Sequence, residues 1–360
     1  MTQDFQKIIE DALKTAKAKV GHANVLIAGK TGVGKSTLVN AVFQGNLAKT
    51  GIGQPVTQNT REYTKAGIPL TIIDTKGIEV ADYENTKKQL EEAIRERNGS
   101  DDARRHVHVA WICIAEDSRR VEQAEADLLE LLARYRIPTV AVITKARSNN
   151  GFDKEVERLL PASKQVVRVR AIRETLDEGH ELPPVGLKEL VEVTSQLFPE
   201  GQANAFVAAQ KVDLSKKTER SHLAVGAAAL SAAGIGAIPI PFSDAIGIVP
   251  VQVTMIATIS AIFGLNLSEG FIGTLVGSSM SAIGGTLAGR AAVGALLKLI
   301  PGVGSVVGGA ISGTTAAALT TAFGEAYIYA LCTLLEKRSI EDLTAKEVAD
   351  AFVNRLKRSQ

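Results

Sequence analysis

The sequence predicts an α/β fold on a mostly parallel sheet in three layers, followed by an all-α, Gly/Ala-rich hydrophobic region. Three observations lead there. Apolar strand-like runs alternate with helical segments over residues 21–200, the pattern of a parallel sheet with right-handed crossovers. A glycine-rich stretch, Gly29-Lys30-Thr31-Gly32-Val33-Gly34-Lys35-Ser36-Thr37, joins the first apolar run to the first helix of that pattern. Charge then almost disappears: between Leu223 and Cys332 only Asp244, Glu269, Arg290, Lys298 and Glu325 carry one.

Composition sets the frame for these signals. A chain of 360 residues is long enough for two domains, each with its own core. Basic and acidic residues nearly balance, 41 against 39, and no long basic run points to nucleic acid as a direct ligand. Cys113 and Cys332 sit far apart in apolar settings and read as buried thiols of a reducing cytosol. The first residues lack a basic and an apolar region of secretory type, and Thr2 stands where N-myristoylation needs glycine. The expected location is therefore cytoplasmic, with the inner membrane as an associated surface. Mean hydropathy is +0.09, high for a chain with 22% charged residues.

Taken in order, Phe5, Ile8, Ile9, Ala12 and Leu13 recur at helical spacing and predict an amphipathic helix over 1–20. Val25–Ala28 is a strand and Leu38–Phe43 lies in a helix. Gln44–Asn59 reads as a polar loop, then strands follow at Glu62–Ala66 and Leu70–Asp74 and an exposed helix at Tyr83–Asn98. The run Val107–Ala115 is apolar almost throughout, as a central parallel strand should be. A helix over Arg119–Arg136, a strand at Thr139–Thr144, a helix near Asp153–Leu160, a strand at Gln165–Val169 and a helix over Gly186–Leu197 complete the first domain, 21–200. Gln202–Glu219 looks like a polar helical connector into a hydrophobic helical domain, 201–335. An amphipathic helix within 336–360 ends the chain.

The glycine-rich stretch has the spacing G-x-x-x-x-G-K-[ST] between strand and helix, which defines a phosphate-binding loop. Gly29, Gly32 and Gly34 let the backbone turn so that N–H groups, those of Thr31, Val33 and Thr37 among them, converge on phosphate oxygens. Lys35 reaches the β- and γ-phosphates, and Ser36 holds Mg²⁺. Asp74-Thr75-Lys76-Gly77 closes a strand about forty residues after the loop lysine; there Asp74 can hold Mg²⁺ through water and the Gly77 N–H can meet a γ-phosphate. Between them, Gly53–Arg61 supplies a threonine to complete the metal shell in the triphosphate state, Thr57 by choice and Thr60 as the alternate.

With these motifs in place, residues 20–200 resemble the bacterial Era-like GTPases of the translation-factor-related class. The resemblance implies a G domain of the P-loop NTPase type, GTP and GDP as ligands, Mg²⁺ as cofactor, and Lys35, Thr57 and Gly77 as the residues of hydrolysis. Such domains read the base with [NT]-K-x-D. Here Thr144-Lys145-Ala146-Arg147 occupies that place, so Thr144 and Lys145 match while Arg147 replaces the carboxylate. Asp153 or an acidic residue of Glu174–Glu181 are the substitutes at hand, and GTP and ATP both stay open on the residues alone. The family's Ser-Ala pair is represented by Arg170-Ala171. Ile78 stands where many small GTPases carry the glutamine that orients water, which implies slow turnover that a homodimer, partner or surface accelerates.

Residues 205–335 resemble a helical domain of unknown function found behind G domains in some bacterial GTPases, on Pro239–Asp244, Val251–Ile256, Phe263-Gly264-Leu265 and Leu299–Gly304. Four uncharged windows, Ser221–Ser243, Ala245–Ser268, Gly270–Gly289 and Leu299–Gly324, approach the length of a membrane span. Small-xxx-small pairs such as Gly285/Gly289 and Gly309/Gly313 favour close helix packing in a bilayer. Against that, Gly270–Gly289 is rich in glycine, and Pro239, Pro241 and Pro250 are expected to break helices. Insertion through 223–332 and a compact bundle both remain open. Asp244 and Glu325 are expected to be a helix cap or a satisfied buried carboxylate. A second hypothesis is a membrane-acting or assembly protein whose nucleotide site is a regulatory clamp.

Overall fold

The computed structural model describes residues 3–44, 47, 52–57, 60–75, 83–236, 243–265, 267–281 and 313–358. The chain forms two compact units, Gly21–Asp213, and Met1–Val20 together with Leu214–Gln360.

The first unit holds a seven-stranded sheet in the order β2-β3-β4-β1-β5-β6-β7. Its centre is β1 (Ala23–Ala28), flanked in parallel by β4 (Leu70–Thr75) and β5 (Val109–Ala115). Next come β6 (Thr139–Thr144) and β7 (Gln165–Arg168), also parallel. Every residue of β1, β5 and β6 is buried, because helices cover both faces and the strands have no polar side to show water. On one face, Leu26, Ala110, Ile112, Ala141 and Ile143 pack against helices α3 (Tyr83–Asn98), α4 (Gln123–Arg134) and α5 (Phe152–Leu159). On the other, Trp111 stacks on Phe43 at 5.7 Å and donates its indole N–H to Thr194 Oγ1 at 3.0 Å. Phe43 follows α2 (Lys35–Val42), and Thr194 lies on α6 (Leu187–Leu197).

Several expectations are corrected. The stretch Gln44–Asn59 is not all loop: β2 (Ile52–Thr57) pairs antiparallel with β3 (Thr60–Thr64), which itself runs antiparallel to β4. As the edge strand, β2 tolerates Pro55, and the register shifts between Pro55 and Thr57. The helix expected from Arg119 begins only at Gln123. A 3₁₀ turn (Glu116–Ser118) and a left-handed Arg119 at φ 51° precede it, and the Glu125 carboxylate takes the Glu122 N–H at 2.6 Å.

The expected connector over Gln202–Glu219 is two helices. The first, α7 (Glu200–Ala209), is a buried part of the first unit, with Phe206 against Phe198 and Phe43. It stops because the Gln210 side chain accepts the N–H groups of Val212 and Asp213, each at 2.7 Å, and donates to Asp213 O. The unit therefore extends to Asp213 rather than residue 200. Finally, a short hairpin of β8 (Glu174–Thr175) and β9 (Glu181–Leu182) follows β7.

The second unit is helical. It gathers α1 (Gln3–Val20), α8 (Leu214–Gly236), α9 (Ser243–Phe263), α10 (Glu269–Ser281), α11 (Gly313–Leu335) and α12 (Ala345–Arg358). The segments expected to stand apart at 1–20 and 336–360 belong to this core. α1 buries Ile9, Ala12, Leu13 and Ala16, and α12 buries Val348, Phe352 and Leu356. Phe352 meets Phe323 and Tyr327 edge-on at 4.8 and 5.2 Å. At Gly324 a Cβ would sit 2.5 Å from a Val225 methyl carbon, so this glycine lets α11 approach α8 closely. α9 runs through Pro250 without ending there; burial of Ile256, Ile259 and Phe263 holds the helix beyond it. Lys217 is buried on α8 and donates to the final carbonyls of α9, Phe263 O at 3.0 Å and Ile262 O at 3.3 Å.

Of the uncharged windows, the described parts do not form matching spans. Among described helices, α11 alone is long and apolar enough to cross a membrane, and half of its most apolar window is buried inside the protein. Its Glu325 is half-exposed rather than buried, and its carboxylate accepts from His222 Nδ1 at 2.8 Å, so it is partnered but not a buried carboxylate as expected. The side chain of Asp244 and the pairs from Gly285 to Gly309 lie outside the described residues.

Candidate functional site

The loops at the C-terminal ends of the parallel strands β1, β4, β5, β6 and β7 carry the chemistry, the usual place for a ligand in an open α/β sheet. After β1 the backbone swings through Gly29 at φ 144°, Gly32 at φ 80° and Gly34 at φ 98°. Gly29 is required by space as well: a Cβ there would lie 2.3 Å from Cys113 O on β5. Gly34 caps α2, whose first residues expose Ser36 and Thr37, and Thr31 and Gly32 are also exposed. Lys35 is buried, with Nζ donating to Gly29 O at 2.7 Å and Lys30 O at 3.0 Å. The ammonium is thus held within the loop, where an anion drawn in by the N–H groups would meet it. Lys30 is anchored outward by an ion pair with Glu122.

Asp74 lies in register with Ile27 of β1, beside the loop. Its Oδ1 is buried and has no hydrogen-bond partner among the described residues. Burial pushes the Asp74 carboxyl above the usual range, opposed by the charges of Lys35 and Arg61. A buried carboxylate oxygen with no hydrogen-bond partner among the described residues is a ligand suited to a hydrated hard cation such as Mg²⁺, and the exposed Ser36 hydroxyl at the start of α2 is an oxygen of the kind such a cation takes. Thr57 ends strand β2, opposite Thr60, rather than lying in a free loop. The Thr57 side chain, and Lys76, Gly77 and Ile78 entirely, lie outside the described residues.

A cavity of about 490 Å³ opens beside the loop. Gly34 and Thr37 form one part of its wall, and Thr144, Lys145, Arg147, Ala171 and Glu174 another. The expected base-side residues are thus brought together. Thr144 Oγ1 lies 2.6 Å from Val33 O and 3.2 Å from Ile114 O, so this hydroxyl ties the end of β6 to the phosphate loop. Lys145 adopts the left-handed conformation at φ 54° and faces Asp117 at 3.8 Å. Arg170, the partner of Ala171 in the expected pair, is structural: its guanidinium donates to Ala146 O at 2.6 Å and Pro183 O at 2.7 Å.

One residue here, Glu116, was not singled out from sequence, and another, Glu174, stood only within the range of candidate acids Glu174–Glu181. Glu116, 2% exposed, accepts from Arg168 Nε at 2.8 Å and Nη2 at 2.5 Å, and from the N–H groups of Arg147 at 2.5 Å and Ser148 at 2.9 Å. Burial raises its pKa, but these donors together outweigh it and hold the carboxyl below its ordinary range. An acid closing an otherwise apolar strand was the available signal. Glu174 stands on β8 and pairs with the Arg147 guanidinium. That ion-paired hydrogen bond lowers the Glu174 pKa. Asp153, the other candidate acid, is not among the residues lining the cavity.

A glycine-shaped phosphate cradle, a strand-end aspartate and a base-sized cavity on a mostly parallel sheet define a P-loop nucleotide-binding domain of GTPase type. Residues 24–145 match the family described as 50S ribosome-binding GTPase, and residues 204–358 match a domain of unknown function, DUF697. Residues 24–145 of the first unit are thus similar to the G domains of GTP-binding GTPases, and the α/β-then-helical architecture is as expected.

Among curated relatives, the tRNA modification GTPase MnmE of Treponema denticola is 28% identical over 164 residues, covering 44% of this chain and 33% of that protein. Magnetosome membrane protein 22 of Magnetospirillum gryphiswaldense is 31% identical over 99 residues, 28% of this chain and 51% of that one. Among solved structures, a probable GTP-binding protein engB is 16% identical with a TM-score of 0.35, covering 49% of this chain and 98% of that one. The chain spans between 33% and 39% of the length of the first curated relatives it matches.

Proposed function

We propose that the chain binds GTP and GDP with Mg²⁺ and hydrolyses GTP slowly, its nucleotide state acting on the helical unit. The observation that carries this reading is the loop itself: Lys35 held by Gly29 O and Lys30 O beneath exposed Thr31, Ser36 and Thr37, with the unpartnered Asp74 Oδ1 alongside. In this reading Lys35 and the loop N–H groups bind the β- and γ-phosphates. Ser36 and Asp74 hold Mg²⁺, directly and through water, and Thr57 joins them in the triphosphate state. Mg²⁺ would neutralise charge on the β- and γ-phosphates. Gly77 senses the γ-phosphate, and Thr144, Lys145 and Ala171 contribute to the base side.

Slow turnover follows from Ile78 at the place of a water-orienting glutamine. The test is equilibrium binding of a fluorescent GDP, with and without Mg²⁺, followed by phosphate release from GTP. Lys35→Ala is expected to abolish binding, and Asp74→Asn to remove most of its Mg²⁺ dependence. Binding unchanged in Lys35→Ala would sink the reading.

A second reading, a membrane-acting or assembly protein with a regulatory clamp and little hydrolysis, draws on the apolar helix Gly313–Leu335 and on the magnetosome membrane relative. Nucleotide-dependent flotation of the full chain with liposomes, without phosphate release, would favour it. In that case the cytoplasmic chain would work at the inner membrane, alone or as a homodimer.

A further inference from the structure

The cavity wall departs from the expected pattern at one place, and the geometry there supplies a replacement. Arg147 occupies the position where a base-reading carboxylate was expected, and its own N–H is fixed to Glu116. Its guanidinium reaches across to Glu174, with Nε 3.0 Å from Oε2 and Nη2 against Oε1. Both residues line the cavity.

Three acids line this wall: Glu116, Asp117 and Glu174. A carboxylate has about four lone-pair positions. Glu116 already accepts four N–H contacts, from Arg168, Arg147 and Ser148, and has none to spare. Asp117 faces Lys145 at 3.8 Å and is largely exposed. Glu174 takes one contact from Arg147 on each oxygen, which leaves one acceptor position on each.

The carrier is held as well. Glu174 begins a hairpin paired with Leu182, and the chain on either side is tied down by the backbone pairing of Arg170 with Val185. The Arg170 guanidinium bonds to Ala146 O and Pro183 O, joining the loops after β6 and β7. Ile172, on the same cavity wall, is 58% exposed, an apolar side chain available to a flat ring.

We propose that Glu174, aimed by Arg147, reads the donor edge of a guanine base, accepting from the ring N1–H and the exocyclic amino group. Arg147 is the positioning residue: its bidentate grip fixes the carboxylate plane. Adenine presents a lone pair at ring N1 and is repelled by the same carboxylate. The proposal rests on the reading of this unit as a guanine-nucleotide site and names the residues that select the base.

The experiment is competition of GDP, IDP and ADP against fluorescent GDP on the full chain. Folding of each variant is followed by its tryptophan fluorescence. IDP lacks the exocyclic amino group and so loses one hydrogen bond to a charged acceptor, a preference for GDP of about tenfold or more. Glu174→Gln is expected to shrink that preference to about twofold, within the loss of charge assistance, while IDP binding persists. Arg147→Ala narrows the preference less, and Asp117→Asn leaves it unchanged. In the Glu174→Gln background, Arg147→Asp restores it.

A GDP-to-IDP ratio untouched by Glu174→Gln, or abolished by Asp117→Asn instead, overturns the assignment while leaving Lys35-dependent binding, and hence the nucleotide reading, intact. Failure of the wild type to bind any of the three diphosphates brings down both.

Discussion

The hydroxyl of Thr144 offers the sharpest test of how the phosphate loop is held. Thr144→Val keeps the β-branched shape that suits strand β6 and removes one O–H. The packing change is small, so the effect isolates the hydroxyl, whose nearer acceptor is Val33 O at 2.6 Å and whose farther one is Ile114 O at 3.2 Å. A neutral buried hydrogen bond contributes about 0.5–1.5 kcal/mol, and leaving its acceptor short of a donor adds to that, so about 1–2 kcal/mol is expected. Both the β1 loop and the β6 end shift when the tie is cut. The same 1–2 kcal/mol should therefore appear as weaker GDP binding, about 5- to 30-fold.

The chain has a single tryptophan, Trp111, buried in β5 of this unit. Its fluorescence in urea follows the nucleotide-binding unit separately from the helical one, which matters because a two-unit chain need not unfold in one step. Thr144→Ser retains the hydroxyl and should retain most of the affinity. Unchanged stability and affinity in Thr144→Val would refute the tie. Equal loss in Thr144→Ser and Thr144→Val would assign the effect to the methyl group instead.

Two further outcomes follow from the same geometry. Gly29→Ala and Gly32→Ala each place a side chain at positive φ, costing about 1–2 kcal/mol by backbone strain, but only the former drives a Cβ to 2.3 Å from Cys113 O. Gly29→Ala should therefore lower the Trp111-monitored melting temperature well beyond Gly32→Ala, and the reverse order would contradict the packing described. His108 is buried with Nδ1 accepting the Asn24 N–H at 3.0 Å and Nε2 donating to Ala103 O at 3.0 Å, an arrangement that requires the neutral ring. Burial is the main cause that pushes its pKa down to about 4. The unfolded chain, near 6.5, binds the proton first, so this group's stability is full above pH 6.5 and is lost as pH falls toward 4. The loss is about 3 kcal/mol at 1.36 kcal/mol per unit. His108→Asn, which keeps an acceptor toward Asn24, should flatten that slope in urea titrations between pH 7 and 4.5.

Much of the nucleotide-binding unit was legible because its signals are local. Val109–Ala115 and Thr139–Thr144 are uninterrupted apolar runs of strand length, and burial on both faces is the only use a parallel sheet has for them. The phosphate loop declares itself by glycine spacing alone, since each glycine answers a backbone requirement within a few residues. Less legible was β2, whose Gly53 and Pro55 read as loop but are tolerated on a sheet edge. The break at Gln210 depends on one side chain satisfying three backbone groups, which no periodicity reports.

The sequence by itself determined the order of the elements and pointed to a class of ligand, because the phosphate-loop motif and strand–helix alternation are written in contiguous residues. Tertiary structure decided which segments share a core and which acids face the base cavity. Residues 1–20 and 345–358 are amphipathic in sequence, but only packing shows that Ile9 and Phe352 belong to the helical unit. Arg147 looks like a lost carboxylate until the hairpin brings Glu174 against it across 27 residues of chain. Long-range pairs of this kind are set by how loops fold over strand ends, and spacing along the chain carries no record of that.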